Sequence, residues 1–227
     1  MNPLVRLIGM AISAMTDFAL GIFATWAVVK IYHREPTLWL YAAGALFAVL
    51  PDVSIIIKKL RFRSKAGTID FHHKEITHHF VPVLLMSLVW GYLVSPFWAS
   101  LFCMSVMLHF IHDSIGEDAY GLLWLAPFMS KRVLFLTRKG DGKFKVIAFF
   151  SEEEIQTIMK DGIAGGLDYW LERYWLRPTK LSVIGLVLLC QASLMVFPLK
   201  LAIVISYMMA LATVAVWGVI AYKGRPG

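Results

Sequence analysis

The sequence predicts an all-α polytopic membrane protein, a helical bundle of about six spans. This prediction depends on composition, on the apolar runs and on the charges between them. Hydrophobic residues make up 59% of the 227 residues and charged residues only 16%, whereas about a quarter of a soluble domain is charged. The net charge of +7 is carried by the segments between apolar runs, where anionic lipid and membrane topology account for it. Nucleic acid is therefore not an expected partner.

The predicted spans belong to one integral membrane domain, residues 1–227. About 20 apolar residues cross the hydrocarbon core, and the third and fourth runs are shorter than this. A tight uncharged turn, Ser95–Phe97, joins those two runs, so we expect them to form a helical hairpin. The six runs are approximately Leu7–Val29, Leu38–Ile57, Phe80–Val94, Trp98–Ile111, Leu181–Phe197 and Leu201–Tyr222.

The loop between the second and third runs sets the predicted orientation. Residues 58–75 contain six basic side chains against two acidic ones. By the positive-inside rule this loop is cytoplasmic. Six crossings then place both termini in the cytoplasm as well. The predicted location is a bacterial inner membrane.

Residues 113–180 are predicted to form a small cytoplasmic insertion. The runs RVLFLT and FKVIAFF flank RKGDGK, a pattern that indicates a β-hairpin. Ser151 and Glu154 have the spacing of a capping box, so a helix should begin there. An amphipathic helix should follow, with an aromatic stripe that packs against the bundle or headgroups rather than lining a substrate groove. The stripe consists of Leu167, Trp170, Leu171, Tyr174 and Trp175.

Six of the seven histidines lie in two segments that flank the third and fourth runs. Histidine is costly beside membrane-length apolar runs unless it has a partner, so this cluster indicates a ligand-holding site. The predicted topology brings Asp52 and both histidine segments to the same cytoplasmic level. His33 is the exception and is expected at the surface. The six are His72, His73, His78, His79, His109 and His112.

Three imidazoles and two carboxylates are the predicted ligands of a divalent metal. His109 and Asp113 are four residues apart and share one face of a helix. His73 and His78 are five apart, so we expect one on a loop and the other in the first turn of the third span. Asp52 completes the set. Nitrogen and oxygen ligands suit zinc, manganese or iron, with zinc preferred, and the lack of a suitable cysteine favours an open site that keeps a water.

Neighbouring side chains are predicted to assist this site. A divalent metal lowers the pKa of bound water and so generates a nucleophile near neutral pH. Glu75, Glu117 and Asp118 are the candidate general bases, with contact to the ligand histidines as their alternative role. We expect further histidines to contact the ligands rather than the ion. These are His72, His79 and His112.

Three sequence blocks follow one another: LPD at residues 50–52, HKEITHH, and LHFIHDS followed by GLLWLAPF. Over roughly residues 50–135 they resemble the conserved blocks of the membrane-bound metal-dependent hydrolases, also described as LexA-binding inner-membrane-associated hydrolases. Glu75 and His79 stand where that family has glycine and serine. The resemblance implies hydrolysis without naming a substrate. It places Asp52, His73, His78, His109 and Asp113 at the family's site positions, with Thr77 between the two histidines.

The sequence therefore predicts a membrane-embedded hydrolase of a phosphoester or ester, with a small-molecule or lipid-linked substrate and membrane lipid as its partner. One alternative is a transporter of metal or protons, which requires ionisable residues along a mid-membrane path. Apart from Asp17, the predicted spans lack them. The other alternative is a non-enzymatic scaffold that binds a soluble partner through basic loop residues, namely Lys58, Lys59, Arg61 and Arg63.

Overall fold

The computed structural model describes residues 3–53, 76–115, 119, 121–138, 143–160 and 169–223. Over these residues the chain is mostly helical with a two-stranded sheet, which confirms the predicted helical class and adds a small β element. The helices are α1 (Pro3–Ile31), α2 (Leu38–Val49), α3 (Phe80–Leu93), α4 (Pro96–Asp113), α5 (Glu152–Ile158), α6 (Lys180–Val196) and α7 (Leu199–Lys223), and the strands are β1 (Arg132–Arg138) and β2 (Phe144–Phe150).

Two of the described helices are long and apolar enough to cross a membrane. They cover Leu4–Ile31 and Leu199–Ile220. Other apolar helices, Leu38–Asp52, Phe80–Leu93 and Lys180–Val196, have only 10–17 residues, whereas a perpendicular span needs about 20. The described helices thus supply two candidate spans out of the six predicted crossings.

The chain divides into two compact units, one made of Met1–Leu46 with Asp168–Gly227 and the other of Phe47–Leu167. In the first unit, α1 packs along α6, and α6 packs against α7. The backbones of α1 and α2 meet at Gly21 and Gly44, where a Cβ on Gly21 would overlap the Gly44 carbonyl group. Small residues permit such an approach between apolar helices.

The aromatic stripe predicted near residue 170 belongs to the first unit. Residues 169–174 are helical, and Leu171 and Trp175 are buried. The indole nitrogen of Trp217 donates a hydrogen bond to the Trp175 carbonyl at 3.0 Å. The described part of the stripe therefore packs inside the protein, as predicted, while Leu167 lies outside the described residues.

In the second unit, α3 and α4 pack together as the predicted helical hairpin. Their shared core is apolar and aromatic, and it continues onto the loop before β1. Its buried members are Val83, Phe102, Val106, Phe110 and Leu122, with Phe47, Trp90, Met107 and Trp124 packed against them.

Both local predictions for the insertion are confirmed where the structure describes it. Strand β1 pairs antiparallel with β2, in a register that runs from Arg132↔Phe150 to Arg138↔Phe144. The capping box at the start of α5 has both of its hydrogen bonds. The Ser151 amide donates to Glu154 Oε2 at 2.7 Å, and the Glu154 amide donates to Ser151 Oγ at 3.2 Å.

Candidate metal centre

Four side chains from three chain segments converge in the second unit. They are Asp52, His78, His109 and Asp113, each of which offers one ligand atom. These four atoms all lie within 4.8 Å of one another. Four of the five predicted metal ligands are therefore brought together, and the fifth, His73, lies outside the described residues.

Short turns beside the helices position two of these side chains. Asp52 ends a 3-10 turn, Leu50–Asp52, that directly follows α2. His78 ends a second 3-10 turn, Ile76–His78, just before α3. The expected place of a histidine was the first helical turn of the third span. The helix instead begins at Phe80 because the backbone of His79 is extended, with φ −102° and ψ 126°.

The last turn of α4 supplies the other two ligand atoms. His109 and Asp113 are one helical turn apart, as predicted, and His109 Nε2 lies 3.1 Å from Asp113 Oδ2. His109 Nε2 and His78 Nε2 each lie 3.6 Å from Asp52 Oδ1. His78 Nε2 is also 3.9 Å from Asp113 Oδ2. Both histidines thus direct Nε2 toward the two carboxylates.

These separations fit a single bound cation. Ligand bonds of about 2.1 Å in tetrahedral geometry place neighbouring ligand atoms about 3.4 Å apart. The four separations between the Nε2 atoms of His78 and His109 and the nearest oxygens of the two carboxylates range from 3.1 to 3.9 Å. A divalent ion would also offset two carboxylate charges that converge beside buried groups.

Burial is uneven across the cluster. The side chains of His78 and His109 are completely buried, whereas 34% of the Asp52 side chain and 16% of the Asp113 side chain are exposed. Water or a substrate group can therefore reach the cluster from the carboxylate side, and above all from Asp52. The two imidazoles lie on the buried side of the cluster.

Two neighbours hold the His78 ring. Thr77 Oγ1 lies 3.2 Å from His78 Nδ1, and the Phe110 ring stacks on the imidazole with centroids 5.9 Å apart. If Nδ1 carries the proton and donates it to Thr77, Nε2 is left with a lone pair for a metal. Thr77 thus lies against His78 and is not one of the four converging residues.

The loop before β1 holds the end of α4. Trp124 Nε1 donates a hydrogen bond to Ser114 Oγ at 2.9 Å, and Ser114, which follows Asp113, is fully buried. Sequence reasoning did not predict this contact. The signal was the tryptophan itself, because the N–H of an indole that packs against a core usually donates to an acceptor.

Gly121 allows the loop to turn toward β1. Its φ is +64°, and a Cβ there would overlap the Leu134 side chain. The next residue, Leu122, forms a bridge to Val133 in β1. The loop that carries Trp124 is thereby tied to the sheet.

The remaining predicted residues fall into two groups. His112 Nδ1 lies 3.9 Å from Asp113 Oδ1, the oxygen that is not directed at the two ligand histidines. His79 is the N-cap residue of α3, and its Nε2 is buried but lies outside the converging set. The others lie outside the described residues, namely His72, His73, Glu75, Glu117 and Asp118.

The seventh histidine has a backbone role in the first unit. His33 is exposed and has a φ of +50°. Its amide bonds to the Lys30 carbonyl at 3.3 Å, and the Arg34 amide bonds to the Val29 carbonyl at 3.0 Å. This is the Schellman pattern that ends α1, with histidine in the left-handed position where glycine is usual.

Comparison with known proteins identifies the family. A family model described as YdjM inner membrane protein matches residues 12–223. Searches of curated proteins and of solved structures found no match. The matched range includes the four converging residues, and the family description confirms the predicted inner-membrane location. The chain therefore belongs to the YdjM inner membrane protein family.

Proposed function

We propose that this protein is a metal-dependent hydrolase of the inner membrane. The observation that carries the proposal is the approach of four ligand atoms, from Asp52, His78, His109 and Asp113, to within 4.8 Å of one another. Imidazoles and carboxylates rarely converge beside apolar helices unless a cation or a proton compensates them. This set matches the ligands of catalytic rather than structural zinc, which usually includes cysteine.

Each ligand has a distinct part in the proposed site. His78 and His109 would hold the ion from the buried side, and Asp113 would add one charged oxygen. Asp52, the most exposed of the four, faces the side from which substrate enters. Zinc is the preferred ion, with manganese or iron as alternatives. A bound divalent ion would supply Lewis-acid chemistry, lowering the pKa of water and polarising a phosphoryl or carbonyl oxygen.

Three acids remain the proposed general bases. Glu75 is three residues before His78, while Glu117 and Asp118 come shortly after Asp113. A base must come within hydrogen-bond reach of the attacking water, and in the sequence each of these acids lies within five residues of a proposed ligand. One of them would take the proton from the water as the ester bond breaks.

The position of the cluster favours a lipid or lipid-linked phosphoester as substrate. The cluster lies at the end of the α3–α4 pair where α3 begins and α4 ends. Along α3, a row of exposed apolar side chains begins at Leu85 and reaches Val94. Leu85 is about 8 Å from Phe80 along the helix axis. If this row faces lipid, the cluster lies near the headgroup layer, where phosphoesters of lipids are found.

The six-crossing topology is part of the same proposal. The basic loop at residues 58–75 supports a cytoplasmic site, and an even number of crossings puts both termini on that side. Reporter fusions after the individual apolar runs would test it. Cytoplasmic signals from both termini are expected, and a periplasmic signal from either terminus would contradict the arrangement.

The test is metal content and hydrolysis by the purified full-length chain in lipid nanodiscs. We expect the wild type to retain a divalent metal and to hydrolyse a phosphodiester, and Asp113→Ala to lose both. Glu153→Ala is the matched control, since Glu153 is an exposed acid of the same unit away from the converging set. A metal-free wild type with undiminished hydrolysis would refute the proposal.

The alternatives give different results in related assays. A transporter would move metal ions or protons into sealed proteoliposomes without hydrolysing ester. A scaffold would keep its function after alanine replacement of the histidines and lose it when the basic loop is neutralised at Lys58, Lys59, Arg61 and Arg63.

A further inference from the structure

The β-hairpin exposes large apolar side chains on β2 and toward its tip. Near its base, residues of both strands are buried. Toward its tip, exposure rises to 60% for Phe144 and 63% for Val146. An antiparallel sheet beside water usually presents polar side chains on its open face. The other exposed apolar residues are Leu136, Ile147 and Phe149.

The exposed apolar residues lie on both faces of β2. Phe144 and Val146 are two apart and share one face, and Ile147 and Phe149 share the other. A protein that docked on one face would leave the second face in water. A bilayer is a non-directional apolar medium and can contact both faces at once.

The charged side chains of strands β1 and β2 are all basic, and the segment between the strands contains one acid, Asp141, beside its basic residues. Arg138, Lys143 and Lys145 are exposed, and neither β1 nor β2 contains an acidic residue. All three cations lie at the tip end of the hairpin, next to Phe144. Apolar side chains flanked by lysine and arginine are typical of surfaces that bind anionic membranes, because the cations reach phosphates while the apolar groups enter the interface.

The hairpin is fixed to the end of α4. The Phe135 amide donates a hydrogen bond to the Ser114 carbonyl at 2.6 Å, and Ile115 bridges to Phe135. This is the end of the α3–α4 pair at which α3 begins, about 8 Å along the helix axis from the start of its exposed apolar row. The middle of β1 is thus attached at that end, which is near the headgroup level if the row faces lipid.

We infer that the exposed apolar and basic side chains of the hairpin, within residues 136–138 and 143–149, bind the anionic headgroup layer of the membrane in which the chain resides. Its ligand is phospholipid with a net negative charge. The surface would hold the end of α4 at the depth of the phosphate groups. This inference does not depend on metal binding or on hydrolysis, because it depends on exposure and charge in the sheet and on the point at which the sheet is attached to α4.

The test places an environment-sensitive fluorophore at Val146→Cys, with Cys103 and Cys190 replaced by alanine. The full-length chain is reconstituted in vesicles of phosphatidylcholine, with or without phosphatidylglycerol. We expect a blue shift and quenching by spin-labelled lipid, both larger when phosphatidylglycerol is present. Glu153→Cys, exposed on α5, is the matched control and should be quenched by aqueous iodide instead.

Two results would overturn the inference. A label at position 146 that iodide quenches as strongly as at position 153 would mean that the hairpin is in water. A label that neither iodide nor spin-labelled lipid quenches would mean that protein covers it. Hydrogen exchange on the unmodified chain gives an independent measurement. Slower exchange is expected over residues 144–147 in anionic nanodiscs, and equal exchange in neutral and anionic nanodiscs would also contradict the proposal.

Discussion

His109 Nε2 lies 3.1 Å from Asp113 Oδ2, one turn along the last part of α4. The pair supplies two ligand atoms from one rigid element, while Asp52 and His78 come from separate turns. A helix fixes the relative position of two side chains four residues apart. The pair is therefore the part of the candidate site whose geometry depends least on the rest of the fold.

Replacing Asp113 by asparagine should weaken metal binding with little change in shape. The amide keeps one oxygen but loses the negative charge that faces two imidazoles. We expect zinc affinity to fall by at least about tenfold, the lower end of what loss of a supporting partner costs at metal sites. Competition with a fluorescent chelator measures this. Glu153→Gln, which removes an exposed charge elsewhere, should leave zinc affinity unchanged.

Zinc should stabilise the wild-type chain against unfolding. A ligand that binds only the folded state at a hundred times its Kd adds about 2.7 kcal/mol. Thermal unfolding in detergent, with added zinc or with a chelator, measures the effect. Asp113→Asn should respond far less at the same zinc concentration. An equal response in both proteins would place the zinc elsewhere.

Thr77→Val should lower metal affinity without removing a ligand. The valine has nearly the same shape but cannot accept a hydrogen bond from His78 Nδ1, so the tautomer that exposes the Nε2 lone pair is less favoured. The expected loss is about 10–100-fold. Thr77→Ser keeps the hydroxyl and should bind zinc like the wild type. Similar affinities for the valine and serine variants would rule out this role.

Trp124→Phe should destabilise the second unit. The change leaves Ser114 Oγ, which is buried, without the donor that lies 2.9 Å away. An unsatisfied buried hydroxyl costs about 1–3 kcal/mol. Adding Ser114→Ala should recover part of this loss, because the orphaned acceptor is then gone. Chemical unfolding of the two single variants and the double variant gives a double-mutant cycle. If the losses in unfolding free energy from the two single variants simply add in the double variant, Trp124 and Ser114 are not coupled.

Gly21→Ala should destabilise the first unit, whereas Gly218→Ala should not. Both glycines lie inside helices, so replacement by alanine should stabilise each helix by a similar amount, about 0.5–1 kcal/mol. At Gly21 the new methyl group would overlap the Gly44 backbone, while at Gly218 no described atom outside the adjoining turns of its own helix lies within 4 Å of the added carbon. Overpacking typically costs about 1–3 kcal/mol. Thermal unfolding of the two variants in parallel tests the contrast.

Local patterns predicted the parts of the fold that depend on neighbours in sequence. Alternating apolar residues around a Gly-Asp-Gly turn predicted the β-hairpin, and the Ser151–Glu154 spacing predicted the capping box. The His109–Asp113 pairing followed from helical periodicity alone. Each of these features is set by backbone geometry within a few residues, so a short stretch of sequence is enough to predict it.

The sequence alone determined a membrane protein with imidazoles and carboxylates at the ends of apolar runs. Tertiary structure decided that Asp52 and His78 approach the α4 pair to within a few ångströms, and that the carboxylate side is the open one. It also decided that Trp124 bonds to Ser114, which no spacing rule indicated. Contacts between distant segments depend on how helices and loops pack, and periodicity along one segment carries no information about which other segment it will meet.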